Sequence, residues 1–396
     1  MKKILVYIDN LERLNFFSRF ECNKNYSLIY ITSRLSIYLK LFFKKKKVYI
    51  TKKKYITKSN LENYIIKDNS DIIEKRLSNR SASSLAYSIY SALKKAQLYD
   101  NITAIYIWNG NNTLGKTLTY FSDEKKIPKL YFEISNLPNS IFVDPLGVNA
   151  KSKLFSNISF LNYSNNKRKV NFNIWKKEYR EYKKKPLPQA LKKNKLNHYF
   201  LLDCLGWCTF FSKDLDISWI INNIYSKMID KKTYYNVKTN KNKLNYVFLP
   251  LQVSTDSQLT INSDYSNIDI IKYAIDHCER NELELIIKPH PAEKTVNIKE
   301  YINLIIENEN CQLSNEDTVE LIENSKAVIV NNSTVGLESL LLEKKTIFLG
   351  RSIFAKMDKN MIENYIFDYL INGLDYFSDQ EIPLDILDNI FDRIKY

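Results

Sequence analysis

The sequence predicts an α/β protein with two doubly wound sheets that face a cleft, followed by a C-terminal helical tail. Short apolar strands alternate with amphipathic helices in two separate blocks of the chain, which is typical of parallel sheets with crossover helices. A basic and aromatic stretch of different character separates the two blocks. At about 150 residues per domain, the length of 396 residues fits two or three domains.

The first block alternates strands and helices from the start of the chain. Apolar runs predict strands at 3–8, 27–32, 47–51, 102–108 and 129–133. Helical periodicity of apolar residues predicts helices near 11–20, within 59–98 and over 114–125. We therefore expect a parallel sheet built from β-α-β units.

The second block repeats this alternation. Its predicted strands lie at 245–250, 283–288, 327–330 and 346–349. Its predicted helices lie at 264–281, 297–308, 316–324 and 335–343, and further helices follow from about residue 357 to the end.

These blocks predict four segments. Residues 1–152 form an N-terminal α/β domain, and residues 245–355 form a C-terminal α/β domain. Residues 153–244 form a basic and aromatic linker with helical, membrane-proximal parts. Residues 356–396 form the C-terminal helices.

Composition narrows the classes of function. The net charge of +15 and the pI of about 9.2 indicate an anionic partner. With seven glycines, the chain has neither a dinucleotide-binding G-x-G-x-x-G nor a P-loop motif. Five cysteines and three histidines without zinc-type spacing predict no metal site. No apolar run reaches the roughly 18 residues of a membrane-spanning helix.

The basic and aromatic stretch 167–195 holds twelve Lys or Arg residues against two Glu. One interpretation is a solvated linker. The other is attachment to the anionic inner leaflet of a membrane, because lysines bind anionic headgroups and aromatic rings favour the interface. We expect no nucleic-acid partner, because no recognition fold accompanies the charge.

Unusual residues follow six of the predicted strands, at the strand ends where open α/β sheets bind ligands. They are Asn109-Gly110, Glu133, the segment from Leu251 to Ser257, Pro289-His290-Pro291, the segment from Asn331 to Glu338, and Gly350-Arg351.

The segment Asn332-Ser333-Thr334-Val335-Gly336 opens a predicted helix. Free N–H groups and hydroxyls at a helix N-terminus form an anion site, and Gly336 would permit close approach of a phosphate. The alternative is ordinary N-capping by Ser333 or Thr334. Glu338, one turn into the helix, would bond a ribose hydroxyl or favour the first helical turn.

His290 lies between two prolines directly after a strand. Because proline fixes the backbone, the direction of the imidazole is also fixed. We expect His290 to donate to a phosphate or to stabilise a leaving group.

Several of these segments resemble the capsular polysaccharide synthesis family, which includes the β-Kdo transferases of bacterial capsule assembly. The C-terminal motifs are the more specific ones, and they are Lys288-Pro-His-Pro, the segment from Asn332 to Leu342, and Leu349-Gly-Arg. Phe132-Glu133, the segment Asp144–Ser152 and the segment Leu251–Ser257 match as well. The resemblance covers about 100–152 and 245–352.

The resemblance implies a GT-B fold, with the acceptor side on the first Rossmann-like domain and the nucleotide mostly on the second. It implies CMP-Kdo as the donor substrate, no cofactor and a lipid-linked acceptor. One single-module branch, similar in length to this chain, acts on phosphatidylglycerol. We therefore expect a cytoplasmic protein, peripheral on the inner face of the cytoplasmic membrane, with a capsule export complex as a further partner.

The resemblance also groups the site residues. The expected nucleotide-binding residues are Lys288, His290, Asn332, Ser333, Thr334, Gly336 and Glu338. Further candidates for the substrate site are Asn109, Gly110, Asp144, Asn149, Gln252 and Arg351.

Retaining transfer by double displacement needs a carboxylate nucleophile, and Asp256 is the candidate. The alternative for Asp256 is helix capping or turn formation. Glu133 is the candidate acid/base or the residue that orients the acceptor hydroxyl. The family often has an acidic residue and Gly after this Glu, whereas Ile134-Ser135 follow here. Asp144 is a third carboxylate, whose alternative role is structural.

Two other functions remain open from the sequence. The same fold could use another donor, such as CMP-sialic acid or a CDP- or UDP-sugar. The chain could also be a non-catalytic scaffold or export partner in capsule assembly.

Overall fold

The structure is a computed structural model that describes residues 1–54, 60–135, 137–163, 171–183, 198–222, 245–293 and 295–395. The chain divides into two compact units. The first unit combines Met1–Ser156, Tyr163–Trp219 and Asn364–Tyr396. The second combines Asn157–Asn162 and Ile220–Glu363.

A seven-stranded sheet forms the centre of the first unit. Its strands are β1 (Lys2–Tyr7), β2 (Tyr26–Thr32), β3 (Val48–Ile50), β4 (Ala104–Trp108), β5 (Lys129–Ile134), β6 (Ser140–Asp144) and β12 (Ile371–Asn372). The central strands are continuous apolar runs because both of their faces are buried. In β1, for example, Ile4, Leu5 and Val6 are fully buried.

Helices surround this sheet, and their polar caps explain where several of them begin. Asn10, Ser78 and Asn112 each accept a backbone N–H of the first turn, which satisfies a donor that has no intrahelical partner. The helices are Leu11–Ser18, Leu35–Phe43, Asn60–Ile66, Ser70–Ile73, Asn79–Tyr99, Thr113–Lys125, Lys153–Ser156, Phe172–Lys183, His198–Cys208 and Leu384–Asp392.

The second unit contains a five-stranded parallel sheet. Its strands are β7 (Tyr246–Pro250), β8 (Glu284–Lys288), β9 (Cys311–Leu313), β10 (Ala327–Val330) and β11 (Lys345–Phe348). Its helices are Ser257–Asn262, Asn267–Arg280, Thr295–Ile306, Thr318–Asn324, Val335–Leu341 and Lys359–Asn364. The helix Asn267–Arg280 begins with a reciprocal capping box between Ser266 and Asp269.

Both sheets have the same strand order. The first contains β3-β2-β1-β4-β5 and the second β9-β8-β7-β10-β11, so each follows the Rossmann order 3-2-1-4-5. The prediction of two Rossmann-like domains, which together make up a GT-B fold, is therefore confirmed. Each sheet reverses its winding once, between β1 and β4 in the first and between β7 and β10 in the second. The cleft between the domains stays a prediction.

The C-terminal residues differ from a simple helical tail. A π-helical turn at Tyr365–Tyr369 precedes β12, which pairs antiparallel with β6. Leu387 and Ile390 of the last long helix are fully buried in the first core, and Arg393 Nη1 donates to Val143 O at 2.6 Å. Residues 364–396 therefore complete the first unit, because their apolar face is buried in its core.

The basic and aromatic stretch 167–195 falls largely outside the described residues, which omit 164–170 and 184–197. In its described part, the rings of Phe172 and Trp175 contact Phe367, and Tyr179 is buried. This helix therefore turns these aromatic rings toward the protein. Among the described residues, no helix has both the length and the apolar character needed to span a bilayer.

We expect Leu387→Ala to lower the free energy of unfolding by about 2–5 kcal/mol, because the side chain is fully buried in the first core. The control Leu384→Ala alters an exposed side chain of the same helix and should cost about 0.5 kcal/mol or less. Urea unfolding followed by circular dichroism measures both. Equal small losses would show that the C-terminal helix is not part of the first core.

Candidate functional site

The second sheet reverses its winding between β7 and β10, and an amide pair joins the loops that follow these two strands. Gln252 Nε2 donates to Asn332 Oδ1 at 3.1 Å, and both residues are buried. Asn332 Nδ2 donates to Gln258 O at 2.7 Å and to Asn262 O at 3.2 Å. Asn332 and Gln252, both predicted site residues, therefore hold the short helix Ser257–Asn262 in place.

Asp256 is the N-cap of that helix, and its Oδ1 accepts from Gln258 N at 2.8 Å. Asp256 therefore caps this helix, as the alternative interpretation of the sequence predicts. A capping carboxylate keeps a second oxygen, so capping does not exclude chemistry at the same group. Burial lowers the pKa of His290, and the negative charge of Asp256 partly opposes this effect.

His290 Nδ1 accepts from Ala292 N at 3.1 Å, which assigns the proton of the neutral ring to Nε2. Partial burial of the ring lowers the pKa of His290 below its usual value. Asp256 and Glu293 oppose that effect, and Lys288 adds to it. The ring is therefore a neutral donor through Nε2 around neutral pH, which suits a contact with a phosphate oxygen.

Glu293 was not singled out by the sequence analysis. Its Oε2 accepts from Ser254 N at 2.6 Å and from Ser254 Oγ at 2.7 Å, and its Oε1 accepts from Asn297 Nδ2 at 2.6 Å. Glu293 thus joins the loop after β7 to the loop after β8. The feature of the sequence that could have indicated a role for Glu293 is its position three residues after His290, just before a helix.

Lys288 braces the neighbouring loop. Its Nζ donates to Glu316 O at 2.6 Å and to Thr318 Oγ1 at 2.9 Å, in the segment that follows β9. This contact gives Lys288 a structural role, and its contact with a nucleotide stays a prediction.

The turn after β10 leads into the helix Val335–Leu341. Ser333 Oγ accepts from Val335 N at 3.1 Å in the turn before the helix, whereas Thr334 is the N-cap residue and makes no side-chain capping hydrogen bond. A Cβ on Gly336 would overlap the ring of Phe348 and lie 3.1 Å from Val330 Cγ2. Packing of the helix on the sheet therefore explains this glycine without a phosphate. Glu338 is buried on the same helix.

Arg351 follows β11 and is exposed. Its Nη1 donates to Asp264 Oδ2 at 2.8 Å, and its Nη2 donates to Ile261 O at 3.1 Å. Arg351 thus contacts the segment that begins with Asp256 and ends with Asp264. All the second-unit candidates lie at one end of one sheet, as the sequence analysis expected.

In the first unit, the turn after β4 brings three predicted residues together. Asn109 and Gly110 have positive φ angles of 62° and 92°. Asn109 Nδ2 donates to Glu133 Oε2, and Asn109 Oδ1 accepts from Asn111 N at 3.2 Å. A Cβ on Gly110 would lie 2.7 Å from the ring of Tyr131, so this turn needs glycine for both conformation and space.

Asp144 is fully buried and accepts five hydrogen bonds. The donors are the backbone N–H groups of Leu146, Gly147, Lys153 and Leu154, together with the Tyr369 hydroxyl. Such a carboxylate organises its loop and has little capacity left for a substrate. Asn149, also a predicted substrate residue, lies in this loop with a positive φ of 54°, and its carbonyl accepts from Ser152.

Lys116 is a second residue that the sequence analysis missed. It lies on the helix after the Asn109–Gly110 turn, and its side chain is only 8% exposed. Its Nζ lies 4.5 Å from the ring centroid of Tyr64. Burial and the nearby charge of Lys151 lower the pKa of Lys116 to about 8. A lysine in a helix gives no sequence signal for such burial.

Within the described ranges, no group of three His, Cys, Asp or Glu side chains is arranged to hold a metal ion.

Comparisons with known proteins bear on both units. The sequence profile described as "Capsule polysaccharide biosynthesis protein" matches residues 103–357. Protein FixF of Sinorhizobium fredii (strain NBRC 101917 / NGR234) is 36% identical over 120 residues. That match covers 28% of this chain and 28% of FixF, so the chain spans less than a third of this curated relative.

Two solved structures from Thermosulfurimonas dismutans are similar at low identity. KpsC titled "beta Kdo 2,7 transferase" is 13% identical with a TM-score of 0.47, and the match covers 100% of this chain and 99% of that chain. KpsC titled "beta Kdo 2,4 transferase" is 15% identical with a TM-score of 0.44, and the match covers 73% and 87%.

We expect His290 to titrate below its ordinary pKa of 6.5, because burial of the ring disfavours the imidazolium. Asp256→Asn should lower this pKa further, because it removes a negative charge that stabilises the imidazolium. NMR of histidine-labelled protein measures the midpoint, and the chain has only three histidines. The matched control is Asp317→Asn, which alters the same type of helix cap. An unchanged His290 midpoint in Asp256→Asn would show that the charge of Asp256 does not affect the His290 ring.

Proposed function

The chain belongs to the capsule polysaccharide biosynthesis family, and on this basis we propose that it is a glycosyltransferase that moves Kdo from CMP-Kdo to a phosphatidylglycerol-type lipid. CMP-Kdo is a substrate in this proposal, and no cofactor is required. The observation that carries the proposal is the convergence of Asp256, His290 and the Ser333–Thr334 turn at one end of the second sheet. The profile match includes all of these residues.

The CMP phosphate would bind at the end of the second sheet. The Nε2–H of His290 and the hydroxyls of Ser333 and Thr334 are its proposed donors. When the bond from the anomeric carbon to the phosphate oxygen breaks, CMP leaves with the electron pair and its phosphate gains negative charge. A preorganised donor such as His290 stabilises that charge more than it stabilises the bound donor substrate.

The proposed transfer takes two displacements and retains the anomeric configuration. The Asp256 carboxylate attacks the anomeric carbon, and CMP departs. The acceptor hydroxyl then attacks the same carbon, its proton passes to a base, and the bond to Asp256 breaks. Glu133 is the proposed base, and its hydrogen bond with Asn109 fixes its direction.

The proposed acceptor and location follow from charge. A net charge of +15 suits an anionic lipid acceptor at the inner face of the cytoplasmic membrane. A capsule export complex at that membrane is the proposed protein partner.

We expect CMP to bind and UDP not to bind, and calorimetry with purified protein tests both. His290→Ala should weaken CMP binding about tenfold or more, because it removes a hydrogen bond to a charged phosphate. His277→Ala is the matched control, since His277 stacks on Tyr273 at a distant helix face. Equal binding of UDP would favour another donor sugar, and no binding of either nucleotide would contradict the donor site.

We expect Asp256→Asn to reduce Kdo transfer at least about a thousandfold, because asparagine cannot form the glycosyl-enzyme ester. Asparagine is an equally good N-cap, so the melting temperature and CMP affinity should not change. Asp317→Asn is the control for a cap substitution without loss of transfer. Full activity of Asp256→Asn would remove Asp256 from the mechanism. Wild-type protein that binds CMP yet transfers no sugar would favour the scaffold alternative.

A further inference from the structure

We propose that the first unit docks on an anionic lipid surface through exposed side chains beside the edge strand β3, which we call the edge patch. Its apolar members are Phe42, Phe43, Leu201, Leu205 and Phe210. Its basic members are Lys44, Lys45 and Lys52. This inference rests on the membrane location in the proposed function and names the surface that would dock there, and docking requires neither donor nor acceptor.

The apolar members are unusually exposed for a soluble surface. Each of the five side chains is more than half exposed, and Phe43 is 77% exposed. Single exposed apolar residues are ordinary, but a contiguous group of them indicates an interaction surface.

Ring contacts join the aromatic members into one row. Phe42 lies 5.9 Å from Phe43 and 5.9 Å from Tyr38, measured between ring centroids. Tyr38 lies 6.1 Å from Phe211, which stacks at 4.9 Å on Phe210. The exposed rings at the two ends of this row are therefore linked by packing through Tyr38 and the buried Phe211.

The helix His198–Cys208 packs beside this row, and a polar contact anchors it. Asp203 Oδ1 accepts from Ser36 N at 2.9 Å, and Asp203 also pairs with Arg34. With Asp203 and Trp207 buried on one side, the helix leaves Leu201 and Leu205 exposed. The two leucines are one helical turn apart and extend the same patch.

The lysines in and next to the edge patch differ in whether they pair with a carboxylate. Lys46 pairs with Glu21 at 2.8 Å, and Lys47 pairs with Asp100. Within the described ranges, no carboxylate pairs with Lys44, Lys45 or Lys52. The Lys52 ammonium lies 6.0 Å from the ring of Phe210, so charge and apolar surface adjoin at this end as well.

Apolar rings flanked by unpaired lysines match a bilayer that contains anionic lipids. The rings would enter the boundary between headgroups and acyl chains, and the ammonium groups would face the lipid phosphates. Nucleic acid would account for the lysines but not for the five exposed apolar side chains. In contrast, the described aromatic rings of the stretch 167–195 pack against Phe367 and so contribute little to such a surface.

Vesicle co-sedimentation tests the proposal with the full chain. Wild-type protein should bind vesicles that contain phosphatidylglycerol more tightly than vesicles of phosphatidylcholine alone. Phe42→Ser with Phe43→Ser should lower the partition coefficient at least about tenfold, because two rings no longer enter the bilayer. The control Ile306→Ser alters a side chain that is 72% exposed in the second unit and should not change it.

Charge reversal tests the basic members separately. Lys44→Glu with Lys45→Glu should lower binding to phosphatidylglycerol vesicles at least about tenfold and reduce its dependence on salt. Lys272→Glu with Lys299→Glu makes the same change in net charge on exposed positions of the second unit, and it should have little effect.

Two results would overturn the proposal. One is equal loss of binding in the controls and the edge-patch variants, which would indicate an effect of net charge alone. The other is unchanged vesicle binding in Phe42→Ser with Phe43→Ser, and light scattering would then show whether the patch instead joins two copies of the chain. Unchanged melting temperature and CMP affinity in these variants would show that the fold and the nucleotide site are intact.

Discussion

The hydrogen bond between Gln252 and Asn332 determines the arrangement of the second-unit site. It joins the loops after β7 and β10 at the point where the winding of the sheet reverses. Through Asn332, it also holds the helix whose N-cap is Asp256. Because Gln252 and Asn332 are both buried, leaving one amide without its partner would cost more than the hydrogen bond itself contributes. The pair therefore fixes this end of the sheet before any ligand binds.

Most strands could be predicted from the sequence, because parallel strands buried on both faces are continuous apolar runs. The run at 102–108, for example, contains β4. The strands β6, β9 and β12 were not predicted. β9 and β12 have only three and two residues, and β6 is an antiparallel addition to the sheet. Their pairing depends on distant neighbours, which the local pattern does not reveal.

The loops of the candidate site could be predicted from the sequence, but the contacts that each side chain makes within them could not. Asn332, Lys288 and Asp144 all have residue types suited to binding a substrate, yet each holds backbone groups of its own unit. Glu293 and Lys116 belong to residue types that are common on protein surfaces, and the sequence did not single them out. In the structure, Glu293 joins two loops of the site and Lys116 is buried. A hydrogen-bond partner or a buried position is a property of three-dimensional packing, and residue spacing records it only indirectly.

The first unit is discontinuous in sequence, and this affects the order in which a ribosome can make it. Strand β6 is synthesised well before its partner β12 and before the helix that covers the core. The second unit lies wholly before them, so its sheet can form while the first still lacks an edge strand. In most multidomain proteins the N-terminal domain folds first, and this order of folding would be reversed here. Until β12 has been synthesised, β6 has an unpaired edge, which is the kind of surface that chaperones protect.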